Sequence, residues 1–278
     1  MLDPTAIRAG LAPDATLPVT IYCYDQVSST MDLTRTALAT LPPEALPVLI
    51  TAEEQVAGRG RLGRRWIAPP GSALLFSLGL RPPPIVATTP ATLIWLATVA
   101  LLETIDTTTP LKAGLKWPND VLVQTPTGWA KTAGILLEGS WDTGRLVWAI
   151  IGCGVNVSAA PELPATLYPA TALTLAGAPM IDRLHLLHTL LRRYDFWFRQ
   201  LQAGETERLW QTWRSRLITL GQMVTITTGN DVIHGEAVDV DRSGTLIVRE
   251  PTGIIRMVES GDVGLIGQPD QSTDHSDG

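Results

Sequence analysis

Reduced to apolar and polar positions, the chain changes rhythm near Leu220. Before that point, apolar runs of strand length alternate with longer helical stretches. After it, short strand-like runs follow one another between turns. Residues 19–24 read as a first strand, and Ser28-Ser29-Thr30 places hydroxyls where a helix begins, with Leu33, Ala37 and Leu38 supplying its apolar stripe. N-capping by itself uses one of those three hydroxyls. Residues 47–53 and 72–80 are the next strands, and 91–105 is apolar enough throughout for a buried helix. Four further strands, 114–117, 120–123, 130–138 and 145–155, are interrupted by Thr125-Pro126-Thr127-Gly128 and Asp142-Thr143-Gly144. Those are hairpin signals, so this part of the sheet is at least partly antiparallel. Leu184, Leu187, Leu190, Leu191, Tyr194 and Phe198 repeat at helical spacing, and a shorter helix covers 205–216.

Beyond Leu220, strands at 224–226, 232–238, 245–248 and 254–258 are bounded by Gly229-Asn230, residues 241–244 and residues 251–253. Such spacing fits a small SH3-like β-barrel. The expected organisation is an irregular lead-in over 1–18, a large α+β domain over 19–218, the β-domain over 219–267 and a disordered polar tail over 268–278. With 278 residues and 45% hydrophobic content, the chain can bury both cores. The apolar run 93–102 stops at Glu103, short of a bilayer span, and the N-terminus lacks a basic-then-apolar leader. A soluble cytoplasmic protein with no membrane attachment is expected. Cys23 and Cys153 lie in apolar strand runs and read as buried thiols, while the four histidines do not gather at ligand spacing.

Candidate chemistry concentrates in residues 55–66, Gln-Val-Ala-Gly-Arg-Gly-Arg-Leu-Gly-Arg-Arg-Trp, which put four arginines on a glycine-rich backbone in a chain of net charge -6. Gly58-x-Gly60-x-x-Gly63 matches the dinucleotide-binding pattern letter for letter. Its context does not: residues 64–71 contain Pro69-Pro70 and cannot open a helix, and no Asp or Glu occurs between Gln55 and Glu103 to hold a ribose. A pI near 5.2 argues against a broad nucleic-acid face. What remains is a loop for a small anion, since guanidinium groups match carboxylate and phosphate oxygens and the glycines can take positive φ or approach a ligand closely. Four like charges repel, so a lid that is mobile until an anion binds is expected.

A second motif, Lys116-Trp117-Pro118-Asn119-Asp120, sets a cation, an amide and a carboxylate around a proline turn, where a turn alone needs only its last three residues. Lys131-Thr132-Ala133-Gly134-Ile135-Leu136-Leu137-Glu138 opens with another lysine, and Gly152-Cys153-Gly154-Val155-Asn156 ends a long strand with glycines and an amide. Together with Ser29-Thr30, Gln55 and residues 58–66, these motifs resemble the biotin protein ligase family over about residues 19–267.

The resemblance implies a mixed β-sheet with flanking helices, like class II aminoacyl-tRNA synthetases, followed by the SH3-like domain. It implies that biotin and ATP are joined as biotinyl-5'-adenylate, with Mg²⁺, and that biotin then passes to a lysine of the biotin carboxyl carrier protein of acetyl-CoA carboxylase or a related carboxylase. Residue by residue, it sets Ser29, Thr30, Met31, Gln55, Gly58, Gly134 and Gly152 around biotin, with Arg61 at the polar head and Arg59 and Gly60 at the carboxylate end. Lys131 contacts the carboxylate and then the α-phosphate, making Lys131, Arg61 and Arg64 the catalytic candidates. Lys116, Asn119 and Asp120 match the nucleotide side, Asp120 also serving Mg²⁺, and Arg64, Trp66 and Asn156 enclose the adenylate. Met31 stands where many relatives carry Asn, so an apolar wall replaces a side-chain hydrogen bond there.

Fewer than twenty residues precede the first strand, which leaves no room for the DNA-binding helix-turn-helix of some relatives, and no specific DNA partner is expected. A homodimer through strand edges near residues 145–155 stays open. Two alternatives compete: a lipoate-type ligase or acyltransferase, and a non-catalytic biotin-binding protein, which has no use for Lys131.

Overall fold

The computed structural model describes residues 1–83, 86, 89–162, 168–228 and 231–265. The expected tail, the Gly229-Asn230 turn and the end of Pro82-Pro83-Pro84 lie outside them. Two compact units divide the chain, Met1–Arg216 and Leu217–Gly278.

In the first unit, β1 (Thr20–Val27), β2 (Val48–Gln55), β3 (Ala73–Leu80), β4 (Ala113–Lys116), β5 (Asp120–Thr125), β6 (Gly128–Asp142) and β7 (Arg145–Asn156) form one sheet. Their order is β1-β2-β3-β7-β6-β5-β4. β1 and β2 run parallel, which requires a crossover, and helix α2 (Thr30–Thr40) supplies it; all other neighbours are antiparallel. This is the mixed sheet with flanking helices that the motifs imply.

Every residue of β3 is buried, as both faces of the sheet are covered. On one face α2 packs Met31 and Leu38 against Ile150, and Ala37 against Val48 and Ile50. On the other lie α3 (Ala91–Thr108), α4 (Arg183–Gln202) and α5 (Thr206–Ser215). Phe76 of β3 meets Tyr194 of α4 edge-on at 6.2 Å, and Trp95 of α3 lies 5.4 Å from Trp213 of α5. Each such fully buried apolar side chain contributes roughly 1.5–3 kcal/mol.

Four expectations need correction. Helix α3 runs three residues beyond the expected end at 105, to Thr108, and is by length and composition long enough to span a bilayer, yet 67% of it is buried inside this unit. It is a core helix, because sheet and helices surround it. The lead-in is not irregular: α1 (Pro4–Ala9) is capped by Asp3 and lies on α4, where His188 Nε2 is 3.1 Å from the carbonyls of Ala6 and Ile7. Asp195 accepts from Thr16 N, Thr16 Oγ1 and Leu17 N, and Leu2, Ile7 and Leu17 are buried. Strand β7 is interior over residues 149–156, which pair with β3 on one side and β6 on the other, and only its start at 145–148 pairs with β6 alone. Finally, Cys153 is buried as expected but Cys23 is only partly so.

The second unit is a five-stranded antiparallel sheet, ordered β11-β10-β9-β8-β12. Its strands are β8 (Met223–Thr228), β9 (Asp231–Val240), β10 (Leu246–Arg249), β11 (Ile255–Val258) and β12 (Asp262–Leu265). Val224, Ile226, Ala237, Val240, Leu246, Val248, Val258 and Val263 fill its core. The apolar pattern carries no signal for the last strand, because Asp-Val-Gly-Leu is too short and too mixed.

Candidate active site

Strand alternation sorts Gly152-Cys153-Gly154-Val155-Asn156 onto two faces. Cys153 turns inward, and burial pushes its thiol up; its neighbour Tyr194 is likewise raised by burial, with Cys153 adding to the shift. Gly152 and Gly154 open onto the α2 face, where each leaves room for a side chain from elsewhere. A Cβ on Gly152 would stand 2.4 Å from Met31 Sδ, and one on Gly154 2.4 Å from Trp66 Cε2. Gly134, paired with Gly154, would meet the same indole at 3.1 Å. Glycine is thus the residue that lets Met31 and Trp66 lie flat on the sheet.

Over this floor lies the loop that follows β2. Its arms are joined by Trp66 N to Gly58 O at 2.9 Å, Gly60 N to Arg64 O at 2.8 Å and an Arg59–Arg65 bridge, with a 3-10 turn over Arg61–Gly63. Of its three glycines only Gly63 (φ 72°) takes positive φ, and Leu62 beside it does so too (φ 54°). Gly58 is needed for close approach instead: a Cβ there would stand 2.5 Å from Trp66 O. A cavity of about 670 Å³ is lined by residues 57–65 with Leu136 and Glu138.

The arginines of the expected lid have partners within this structure. Arg59 pairs with Asp32 at 2.6 Å and with Glu138, Arg61 donates to Asn119 Oδ1 at 3.1 Å, and Arg65 donates to Val56 O. The charges have local partners, two of them carboxylates.

Ser29 occupies the N-cap position of α2 but makes no capping bond, and its buried Oγ has no hydrogen-bond partner among the described residues. Thr30 is bound by Gln55, whose Oε1 accepts from Thr30 N at 2.8 Å and Thr30 Oγ1 at 3.1 Å; Ser77 Oγ lies 2.7 Å from the same hydroxyl. At the opposite end, Asn119 donates to Ile135 O at 2.7 Å, tying the proline turn to β6. Asp120 Oδ1 is 2.6 Å from Lys131 Nζ, and Oδ2 is 3.9 Å from Lys116 Nζ. Lys131 also sits 5.8 Å from the Trp66 ring centre.

Residues 168–174 form a wall with no strand-like signal in the sequence. Lys131 N donates to Pro169 O, Thr171 N to Lys131 O, and Asn156 Nδ2 to Thr171 O at 3.1 Å. Tyr168 lies under Lys116, 5.3 Å from Nζ to the ring centre, and burial pushes its phenol up to about 12. Only its place as an isolated aromatic before a proline hinted at a role. Asp32, Ser77 and Glu138 were also missed as partners of the loop and of Thr30.

Ser29 Oγ, Trp66 Nε1 and Asn156 Oδ1 are therefore buried beside this face without a hydrogen-bond partner among the described residues. Buried polar atoms are rarely left so, at a cost of about 1–3 kcal/mol each, and a polar ligand lying across the floor would satisfy them.

A glycine-floored face of a mixed sheet, with lysines at one side and an Arg/Gly loop above, defines a protein ligase of the biotin and lipoate class. The Biotin/lipoate A/B protein ligase family model matches residues 23–156, and the model Biotin protein ligase C terminal domain matches residues 219–265. Bifunctional ligase/repressor BirA of Bacillus subtilis is 31% identical over 266 residues, spanning 95% of this chain and 79% of that one. Biotin--[acetyl-CoA-carboxylase] ligase of Mycobacterium tuberculosis is 35% identical over 225 residues, 78% of each chain. Among solved structures, the biotin protein ligase of Aquifex aeolicus in complex with biotin and ATP superposes with a TM-score of 0.70 at 26% identity, over 89% of this chain and 98% of that one. The chain belongs to the biotin protein ligase family and is a ligase.

Proposed function

We propose that this ligase condenses biotin with ATP and delivers biotin to a carrier-domain lysine in the cytoplasm. A biotin carboxylate oxygen attacks the α-phosphorus; the new P–O bond forms as the bond to the β-phosphate bridging oxygen breaks and pyrophosphate leaves. The carrier lysine's neutral amine then attacks the acyl carbon, forming an amide and releasing AMP and a proton. Both reactants of the first step are anions, so the protein's task is to hold them together and offset their repulsion.

The observation that carries this reading is the set of orphaned polar atoms at Ser29, Trp66 and Asn156 on a glycine floor flanked by Lys131. Ser29, with Thr30 oriented by Gln55, faces the polar head, and Met31 over Gly152 supplies the apolar wall. Lys131 serves the carboxylate and then the α-phosphate. Lys116 and Asn119 serve the nucleotide, and Trp66, Arg64 and Asn156 enclose the adenylate. Arg61 is turned toward Asn119 in this structure, which favours a role on the nucleotide side over the biotin head.

Asp120 does not fit as a Mg²⁺ ligand in this arrangement, because its carboxylate already faces two ammonium groups at 2.6 and 3.9 Å. Mg²⁺ commonly binds one or two carboxylates plus substrate phosphates, and among the described residues no three His, Cys, Asp or Glu side chains gather for a metal. Asp120 acts as counter-ion and aims Lys131.

The match of the C-terminal unit favours biotin over lipoate, and two free cysteines suit a reducing compartment. Pyrophosphate release from ATP is the test: release with biotin and not with lipoate or octanoate is expected, and the reverse preference or no release overturns the reading.

A further inference from the structure

Lysine is scarce in this chain, and its placement is uneven. Three lysines stand against eighteen arginines, and all three fall between residues 112 and 131. Two of them, Lys116 and Lys131, belong to the site, where both ammonium groups face Asp120. Lys116 also rests over the Tyr168 ring and Lys131 over the Trp66 ring. Of the three, only Lys112 is exposed, with Nζ 5.9 Å from the Trp129 ring centre. Elsewhere the exposed long cationic side chains are guanidinium groups, Arg81, Arg145, Arg249 and Arg256 among them.

That pattern bears on the product of the first proposed step. An acyl adenylate is a mixed anhydride, and any neutral amine that meets its acyl carbon can form an amide. The N–C bond forms, the bond from the acyl carbon to the bridging oxygen breaks, AMP leaves with that oxygen, and the amine's proton passes to solvent. A guanidinium stays protonated and offers no lone pair for this attack. Thiols attack as thiolates, and these too are withheld: Cys153 is buried, and burial raises the Cys23 thiol in spite of its bond to Thr51. Lys112 precedes β4, about 13 Å of extended chain from Lys116, so an adenylate held in the site lies beyond its reach. Low lysine content alone would be a matter of composition. Here lysine persists where a compact point charge serves the site and gives way to arginine where the amine would face solvent, Lys112 excepted.

We propose that this distribution of cations protects the chain from acylation by its own adenylate and leaves Lys112 as the one side-chain amine open to self-modification. Arginine gives the surface its positive charge without a nucleophile, so adenylate that escapes the site ends on the carrier lysine or in water. Lys116 and Lys131 stand closest to the reacting atoms, yet each is engaged as an ammonium and has no lone pair to offer. The protective role rests on the proposed adenylate chemistry, whereas the ranking of the three lysines as nucleophiles does not.

The test incubates the protein with biotin and ATP in the absence of carrier and maps lysine adducts by peptide mass spectrometry. A second arm adds biotinyl-5'-adenylate from outside. Wild type, Lys112→Arg and Arg81→Lys/Arg145→Lys/Arg249→Lys are compared, with circular dichroism as folding control. In both arms the wild type should carry biotin at Lys112 alone, and Lys112→Arg should lower total lysine adduct about tenfold or more. The triple variant should gain adducts at each new lysine to within about threefold of the Lys112 level, since exposed lysines share one amine chemistry and differ mainly in access. Adducts at Lys116 or Lys131 as abundant as at Lys112 overturn the proposal, as do new lysines that stay unmodified where Lys112 reacts. Absence of adducts at every lysine in either arm overturns it as well, unless the wild type also releases no biotin-dependent pyrophosphate. In that case the functional reading fails, and the arm with added adenylate still decides which amines react.

Discussion

The floor and the loop of the site both depend on glycine, for different physical reasons. On β6 and β7, Gly134, Gly152 and Gly154 are extended strand residues whose missing Cβ atoms make way for Trp66 and Met31. In the loop, Gly63 has nothing within 4 Å of a would-be Cβ and is required by its dihedral angle alone. Substituting the floor creates a collision with Trp66 or Met31, which meet the ligand in the proposed reaction. Substituting Gly63 strains a turn that two carboxylates still hold in place. The floor is a matter of volume and fixed charge, the loop one of conformational freedom, and the two should respond differently to mutation.

The largest effect is expected from the charge above the floor. Lys131, aimed by Asp120 and resting against Trp66, meets the carboxylate and the α-phosphate in the proposed reaction, and negative charge builds on phosphorus only as bonds change. Lys131→Ala should slow single-turnover adenylate formation about a hundredfold to a thousandfold, or about 2.7–4 kcal/mol, with a native circular dichroism spectrum. Near-normal turnover in a folded variant would remove the distinction between floor and loop.

Next comes the volume of the floor itself. Gly154→Ala should force the Trp66 indole off the sheet, because the contact would be 2.4 Å and the neighbour is a rigid ring close to the backbone. A loss of about 1–3 kcal/mol, seen as a lower melting temperature together with weaker retention of the adenylate, is expected. Unchanged melting and retention would show that Trp66 moves aside freely.

Gly63→Ala sharpens the contrast from the loop side. It should cost about 1–2 kcal/mol of local strain at φ 72°, read as faster tryptic cleavage of the loop with the melting temperature unchanged. A melting loss as large as that of Gly154→Ala would show the loop to be part of the core.

The smallest expected effect lies at Glu53, outside both sets, which holds Leu2 N at 3.0 Å and Arg183 at 2.7 Å. Burial alone would raise its carboxyl, but the Arg183 bond, the Leu2 amide and the charges of Arg183 and the N-terminus outweigh it and hold the carboxyl below its ordinary value. A depressed carboxyl stabilises fully above its unfolded pKa, near 4.3, and that contribution fades as pH falls through the lower folded value. Glu53→Gln should thus lower the melting temperature slightly at pH 7 and converge with the wild type in acid. A difference that grows with acidification would reverse the sign of this argument.

Legibility from sequence followed the range of the interactions involved. The strands from β1 to β11 and the four longer helices could be read because an apolar period of two or of about 3.6 is a local property of the chain. The Arg/Gly loop and the Lys116 to Asp120 turn were legible for the same reason, as their residues lie within a few positions of one another. Helix α1 escaped notice because six residues carry too little pattern, and its stability comes from docking on His188 and buried Ile7.

The sequence by itself determined strands β1 to β11, the four longer helices, the division of the chain near Leu217 and the chemical character of the two motifs, since each follows from neighbouring residues. Only the tertiary structure decided that β7 is interior, that Trp66 lies over Gly154, that residues 168–174 wall in Lys131 and Asn156, and that Arg59 is neutralised by Asp32 and Glu138. Those contacts join positions dozens of residues apart. They exist because of which strands pair and which face each side chain takes, choices settled by burial summed over the whole sheet, which no local window of residues contains.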